Sequence, residues 1–179
     1  MVLALVGSAA GARVLVSQDE ALALAFPAPA RIHRRTIYLT PDQVAAARAQ
    51  AGEGNPIESA MVVRYEGWRD GTLVGVGYVQ TMLIRTLPAS VFFVVNTAGL
   101  DGKPLLSRVE ILSWGEPPEY LPRPGWTGQL AGKPLDGDLS LKKAIRPITG
   151  ATLTSHALTD GARRTLAVHA VIPIPEKAP

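Results

Sequence analysis

The chain has 179 residues, of which 47% are hydrophobic and 18% are charged, and its formal net charge is +3. This composition excludes a disordered protein, the length suits one domain, and the small, dispersed charge does not favour a nucleic-acid partner. Cysteine is absent, which excludes disulfides, thiolate-held iron–sulfur clusters and thiol nucleophiles. Only three histidines are present, and no pair has the i, i+4 spacing of a helical metal site. We therefore expect any redox chemistry to require an organic cofactor.

The first twelve residues resemble a leader segment. Residues 2–12 carry no charge, begin with an apolar run and end in the small residues Ala10, Gly11 and Ala12. This pattern is typical of a signal-peptide cleavage site, and it predicts a mature domain over residues 13–179 in the periplasm. The alternative is an apolar first strand or helical turn of the domain. No stretch approaches the roughly 20 apolar residues of a membrane span.

Two short helices and a basic strand are predicted next. Ser17 with Glu20, and Thr40 with Gln43, have the spacing of capping boxes, each followed by an alanine-rich segment. A strand is predicted between the two helices, over residues 31–38. This strand carries Arg31, Arg34 and Arg35, which we interpret as a solvated face, with docking to an acidic partner as the alternative.

Four strands are predicted in the middle of the chain, over residues 59–68, 72–86, 91–95 and 105–114. Asp70-Gly71 and Asp101-Gly102 are typical hairpin turns between them. Consecutive hairpins form an antiparallel meander, which needs helices against one face. The fold class predicted is therefore α+β.

A proline-rich loop and a final helix complete the chain. Four prolines between residues 116 and 134 exclude regular structure there, except for one helical turn near Trp126. Residues 154–170 have helical periodicity. His169 is expected to pack near the end of that helix, where the helix dipole favours a cation.

Residues 149–155 carry the most informative pattern, Thr-Gly-Ala-Thr-Leu-Thr-Ser. Four hydroxyl side chains lie here where an extended segment enters a helix. A helix start offers unpaired N–H groups and a partial positive charge, which together favour a phosphate. The alternative is that Thr152 or Thr154 caps the helix, because threonine is a common N-cap residue.

The motif resembles the S/T-G-A-T signature of the FMN-binding domain family, which includes the C subunit of the sodium-translocating NADH:quinone reductase and the G subunit of Rnf-type complexes. The resemblance extends loosely over residues 70–170. It implies an FMN-binding-domain-like fold and FMN esterified to Thr152 by a flavin transferase. The cofactor-binding residues predicted are Thr149, Gly150, Ala151, Thr152, Leu153, Thr154, Ser155, Arg146, Trp114, Glu116 and Tyr120.

Two parts of this set have alternative interpretations. Arg146 stands where the family usually has Asp, three residues before the motif, which predicts either slow covalent attachment or non-covalent FMN gripped by the guanidinium. Trp114, Glu116 and Tyr120 border the proline-rich loop, where they either cover the isoalloxazine ring or pack as an ordinary rim.

The resemblance implies an extracytoplasmic electron-transfer flavoprotein, acting as a subunit rather than as a stand-alone enzyme. Its partners would be a redox protein, a flavin transferase during maturation and, in some settings, a membrane redox complex. The first alternative is a flavin-free or non-covalent FMN-binding-fold scaffold subunit. The second is an FMN-dependent reductase that acts directly on a small molecule.

Overall fold

Six antiparallel strands form one open sheet in the computed structural model, which describes residues 11–96, 103–175 and 177–178. The strand order is β1-β6-β5-β4-β3-β2. The elements are β1 Arg13–Val14, α1 Gln18–Ala25, β2 Arg31–Tyr38, α2 Pro41–Ala51, β3 Met61–Arg69, β4 Thr72–Leu83, β5 Pro88–Asn96, β6 Leu105–Trp114, α3 Pro124–Thr127 and α4 Thr152–Val171, with short 3₁₀ helices at Pro118–Tyr120 and Gly128–Leu130. The α+β class is confirmed.

Local sequence signals set several of these boundaries. Ser17 and Thr40 each cap a helix through a complete capping box, so the side chains provide hydrogen-bond acceptors for backbone N–H groups at the N-termini of α1 and α2. Asp70 and Gly71 both have positive φ angles, 50° and 77°, as a two-residue hairpin turn requires. The second predicted turn, Asp101-Gly102, lies outside the described residues, as do residues 1–10 of the predicted leader.

The sheet is covered on both faces, so the predicted helical cover of one face is present and a second cover is added. Helix α1 packs on one face against a small cluster that contains Phe92, whereas α2 and α4 cover the larger core that contains Phe93. Phe92 and Phe93 are neighbours on β5 and therefore point to opposite faces. Since both rings are fully buried, each face requires its own helical layer.

Helix α4 lies along β4 in the opposite direction. Gly161 sits where a Cβ atom would come within 2.8 Å of Met82 and 2.9 Å of Phe93, so the absence of a side chain permits this close approach. Further along, His169 contacts Tyr78. The start of α4 consequently lies toward the β4–β5 turn. No helix among the described residues is long and apolar enough to cross a membrane.

Candidate functional site

The predicted phosphate site coincides with the first turn of α4, which begins at Thr152, two residues earlier than expected. Its N-cap is Ala151, and no side chain caps the helix. The alternative that Thr152 or Thr154 acts as the N-cap is therefore wrong. The Ser155 N–H donates to the Ala151 carbonyl at 3.2 Å, whereas the N–H groups of Thr152, Leu153 and Thr154 have no acceptor within the described part of the chain.

The loop before α4 is held by a buried hydroxyl. Ser155 Oγ accepts a hydrogen bond from the Ile148 N–H at 2.8 Å and donates to the Ala151 carbonyl at 3.2 Å. Ala151 N–H in turn donates to the Ile148 carbonyl at 3.0 Å. Gly150 lies inside this turn with φ 79°, a conformation that glycine adopts without strain. The buried Ser155 hydroxyl therefore holds the conformation of the loop at residues 148–151 through these hydrogen bonds.

The motif divides into exposed and buried residues. Thr149, Gly150, Thr152 and Leu153 are exposed, and Leu153 shows 53% of its surface. Ala151, Thr154 and Ser155 are buried, so a contact of these three with a cofactor would run through the backbone, and their place among the cofactor-binding residues stays a prediction. Burial takes their side chains out of reach and leaves them a positioning role. Among the hydroxyls, only those of Thr149 and Thr152 remain open to a ligand.

Tyr120 brings the proline-rich loop against this helix start. The Thr154 hydroxyl donates to the Tyr120 carbonyl oxygen at 3.1 Å. The guanidinium carbon of Arg85 lies 4.6 Å from the centroid of the Tyr120 ring, which is a cation–π distance. Arg85 thus adds a positive charge next to the half-buried ring. Sequence reasoning missed Arg85, because an arginine at the end of a predicted strand carries no distinctive signal.

Glu116 organises the β4–β5 turn. Its Oε1 atom accepts hydrogen bonds from three consecutive N–H groups, those of Arg85, Thr86 and Leu87, at 3.0, 2.8 and 2.9 Å. The bonds from Thr86 and Leu87 are the main reason that the pKa of Glu116 lies below its usual value. Because the carboxylate of Glu116 is engaged in holding the turn, its contacts favour the alternative of rim packing over cover of a flavin ring.

Trp114 also has a structural role. Only 4% of its surface is exposed, and its indole Nε1 donates to the Pro117 carbonyl at 3.2 Å. A ring packed this deeply in the core presents no face to a ligand. The contacts of Trp114 therefore favour the alternative of rim packing, whereas the half-buried Tyr120 stays a candidate for ring cover.

Arg146 is fixed through its backbone. Its N–H donates to Gln129 Oε1 at 3.0 Å, and its carbonyl accepts a hydrogen bond from Trp126 Nε1 at 2.6 Å. The residue is exposed, and its guanidinium forms no ion pair with any residue that the structure describes. The position six residues before Thr152 is therefore rigid in its main chain, with a free cation on its side chain.

The histidines of α4 differ in environment. His156 is exposed, whereas His169 is buried, with Nδ1 at 2.9 Å from the Tyr78 hydroxyl. Burial, together with the charge of Arg64, lowers the pKa of His169 to about 4. The expected packing of His169 near the helix end is confirmed, and its burial opposes the charge that the helix dipole would favour. Within the described ranges, no three His, Asp or Glu side chains cluster as metal ligands.

The basic strand β2 forms one edge of the sheet, as its position at the end of the strand order shows. Arg31, Arg34 and Arg35 are all exposed, in agreement with a solvated face. Arg35 approaches the buried Glu66 to 3.9 Å. Charged side chains on an edge strand also discourage unwanted strand pairing.

No family model, curated protein or solved structure matches this chain. The six-stranded antiparallel sheet with four α-helices places it in the α+β class. The likeness to the FMN-binding domain family rests on the motif at residues 149–152 and stays a prediction.

Proposed function

We propose that this chain is an electron-transfer flavoprotein of the FMN-binding-domain type, with FMN linked to Thr152 through a phosphoester. The observation that carries this proposal is the exposed Thr152 hydroxyl at the uncapped start of a 20-residue helix. A threonine at this position could cap the helix or carry the phosphoester, and Thr152 does not cap the helix. The hydroxyl is consequently free for esterification.

The start of α4 suits a phosphate group. Three N–H groups without acceptors and the positive end of the helix dipole stabilise phosphate oxygens. The two other helices of eight or more residues, α1 and α2, have capping boxes that satisfy their first turns. At Gly150, no atom lies within 4 Å of the position that a Cβ would occupy, which leaves room for a ligand beside the loop.

The surroundings also suit the remainder of the cofactor. Leu153 offers exposed apolar surface beside Thr152. The backbone of Tyr120 contacts the same helical turn through Thr154, and the Tyr120 ring carries Arg85 at a cation–π distance. When bound, FMN would supply one- and two-electron chemistry, and these residues would orient the ring and adjust its potential. A tethered cofactor needs no binding equilibrium for its retention, which suits repeated exchange with partner proteins.

The partners follow from the resemblance and from the predicted leader. We propose a periplasmic protein that accepts FMN from a flavin transferase and exchanges electrons with another redox protein, in association with a membrane complex in some settings. The electron donor and acceptor would meet the exposed surface around Thr152, because the opposite side of the helix start is occupied by Tyr120, Ile148 and the core.

Intact mass spectrometry tests the attachment. After co-expression with a flavin transferase, the wild-type chain should gain the mass of one FMN minus water. Thr152→Ala should gain nothing, whereas Thr152→Ser should be modified because it keeps a hydroxyl. Thr149→Ala, which removes the other exposed hydroxyl of the loop, is the matched control and should still carry flavin. Flavin that survives denaturation of Thr152→Ala would contradict the assignment.

Arg146 favours a second candidate, a non-covalent or flavin-free scaffold subunit. A guanidinium replaces the acidic residue that the family supplies near the motif, and it is free to bind a phosphate oxygen instead. Visible absorbance of the purified native protein separates the possibilities. Flavin absorbance lost on denaturation supports non-covalent FMN, and its complete absence from protein co-expressed with the transferase supports the scaffold.

A further inference from the structure

The strands β3 and β4 separate before they end. Their pairing stops at Arg64 and Tyr78, although β4 continues through residues 79–83 in pairing with β5. On the other side, residues 61–63 of β3 pair only with β2. A groove of about 490 Å³ opens between the two strands, bounded also by residues 56–59 and by the second half of α4.

The unpaired part of β4 presents free backbone groups to this groove. In an antiparallel strand, successive residues direct their N–H and C=O groups to alternate sides. Along residues 79–83, the groups on the β5 side are paired, whereas those on the β3 side have no partner in the described parts of the chain. The groove therefore contains a strand edge inside the sheet, and unpaired backbone groups favour any ligand that supplies the missing hydrogen bonds.

A half-buried cation faces the same groove. Arg164 Nε donates to Gln80 Oε1 at 3.3 Å, and the Gln80 amide is itself held by the Gly161 carbonyl at 3.0 Å. The guanidinium makes no ion pair within 4.0 Å of a carboxylate among the described residues. Asp160 and Glu58 act on it only at longer range. Its terminal NH₂ groups are thus available to an anionic ligand.

The remaining walls combine apolar side chains with polar ones, the polar ones being Glu58, Ser59, Thr81 and Thr165. Val62, Met82 and Val168 line the groove, and the large side chains of Met61 and Leu83 are 53% and 68% exposed on the two strands that form it. Such a mixture of apolar walls with a few directed polar groups is typical of binding sites. The apolar walls also match alternate side chains of an extended peptide.

We infer that this groove binds an extended peptide segment of a partner protein, which adds a strand to β4 and places a carboxylate on Arg164. The strand edge repeats its donors and acceptors along five residues, and only another extended backbone matches that spacing. The free guanidinium selects an anionic group. This site lies about 18 Å along α4 from Thr152, given 1.5 Å per residue, and the inference does not depend on bound flavin.

A pair of short peptides tests the inference on the full chain without flavin. The probes are acetyl-Val-Thr-Val-Thr-Val with a free terminal carboxylate and the same peptide with a terminal amide. Peptide binding is followed by amide NMR shifts and by hydrogen exchange. With the carboxylate peptide, alternate amides within residues 79–83 should become protected, and the amidated peptide should bind at least tenfold more weakly.

Variants provide the second arm of the test. Arg164→Gln should bind the carboxylate peptide at least tenfold more weakly and the amidated peptide as the wild type does. Arg108→Gln, which removes a half-buried cation on β6 paired with Glu110, is the matched control and should bind both peptides unchanged. If Arg164→Gln fails to fold, the comparison of the two peptides on the wild type still decides.

Three outcomes would overturn the inference. One is equal binding of the carboxylate and amide peptides, and another is protection that appears on the β2 edge instead of residues 79–83. The third is protection of those amides by free riboflavin at concentrations where neither peptide has an effect, which would assign the groove to a flat heterocycle.

Discussion

The hydroxyl of Ser155 accepts a hydrogen bond from the Ile148 N–H at 2.8 Å, across the loop that carries Gly150. This contact spans seven residues and anchors the loop to the buried side of α4. Thr152, three residues earlier on the same helical turn, stays outside. The two hydroxyls of the motif therefore differ in role: that of Ser155 holds the loop in place, and that of Thr152 is exposed and available for esterification.

This division predicts different stability effects for two neighbouring substitutions. Ser155→Ala leaves the Ile148 N–H and the Ala151 carbonyl without their side-chain partner, which should cost about 1–2 kcal/mol of unfolding free energy. Thr152→Ala removes an exposed side chain that caps nothing and should change stability by about 0.5 kcal/mol or less. Urea denaturation of the flavin-free proteins measures both. A cost for Thr152→Ala as large as that for Ser155→Ala would indicate that Thr152 has a structural role.

Arg146 should govern the rate of flavin attachment. In the proposed flavin transfer, the Thr152 hydroxyl would have to reach the phosphorus of FAD at a metal-bearing transferase site, and an acidic residue nearby would suit that site. At the surface, one charge reversal within a few ångströms changes such an interaction by an amount on the order of kcal/mol. We therefore expect Arg146→Asp to incorporate FMN faster than the wild type in parallel time courses.

The competing role of Arg146 makes the opposite prediction. If the guanidinium grips the phosphate of bound FMN, Arg146→Asp should retain non-covalent flavin less well during gel filtration. Arg123→Asp, at another exposed arginine of the preceding loop, controls for the general change in charge. Equal and complete modification of wild type and Arg146→Asp would show that this position is irrelevant to attachment.

Glu116 should make the protein sensitive to acid. Because its pKa is lowered in the folded state, its contribution to stability is present above the usual value of 4.5 and is lost as the pH falls through the folded-state pKa. Glu116→Gln should lower Tm at pH 7, and the difference from the wild type should shrink near pH 3. Glu119→Gln, on the same loop but exposed, should have little effect at either pH. A Glu116→Gln deficit that is independent of pH would refute the role of the charge.

His169 should also make the folded protein less stable as the pH falls, over a higher pH range than Glu116. Its folded-state pKa of about 4 lies below the usual 6.5. Between pH 4 and pH 6.5, His169 is therefore protonated in the unfolded chain and neutral in the folded protein. Stability should therefore fall as the pH drops from 6.5 to 4, by an amount on the order of 3 kcal/mol. His169→Gln should reduce this dependence, whereas His156→Gln, on the exposed side of α4, should preserve it. Unfolding free energies at pH 7, 5.5 and 4.5 provide the measurement.

Local signals predicted the elements well. Strand 31–38 was placed at its observed bounds, as was strand 105–114, and the capping boxes at Ser17 and Thr40 begin the helices as expected. These features depend on residues within one turn of each other, which sequence spacing reveals directly. Strand β5 begins at Pro88, three residues before the predicted start, because its pairing with β4 extends beyond the apolar run.

The site was predicted less completely than the fold. Residues 149–155 were identified as one cluster of hydroxyls, but the sequence could not separate Thr152 from Thr154 and Ser155, since exposure depends on which face of α4 meets the core. Glu116 and Trp114 were placed near the site because they border the proline-rich loop, yet their partners are backbone groups up to 31 residues away. Arg85 and the β3–β4 groove had no sequence signal.

The sequence by itself determined the α+β class, the hairpin at Asp70-Gly71 and the motif that predicts a phosphate at the start of the last helix. Only the tertiary structure decided that both faces of the sheet are covered, that Ala151 and not a threonine occupies the N-cap position of α4, and that Arg164 faces an open strand edge. The physical reason is the sequence separation of the interacting residues. Helix caps and turns are formed by residues that are neighbours in the chain, whereas burial and the divergence of two strands depend on contacts between residues far apart in the chain.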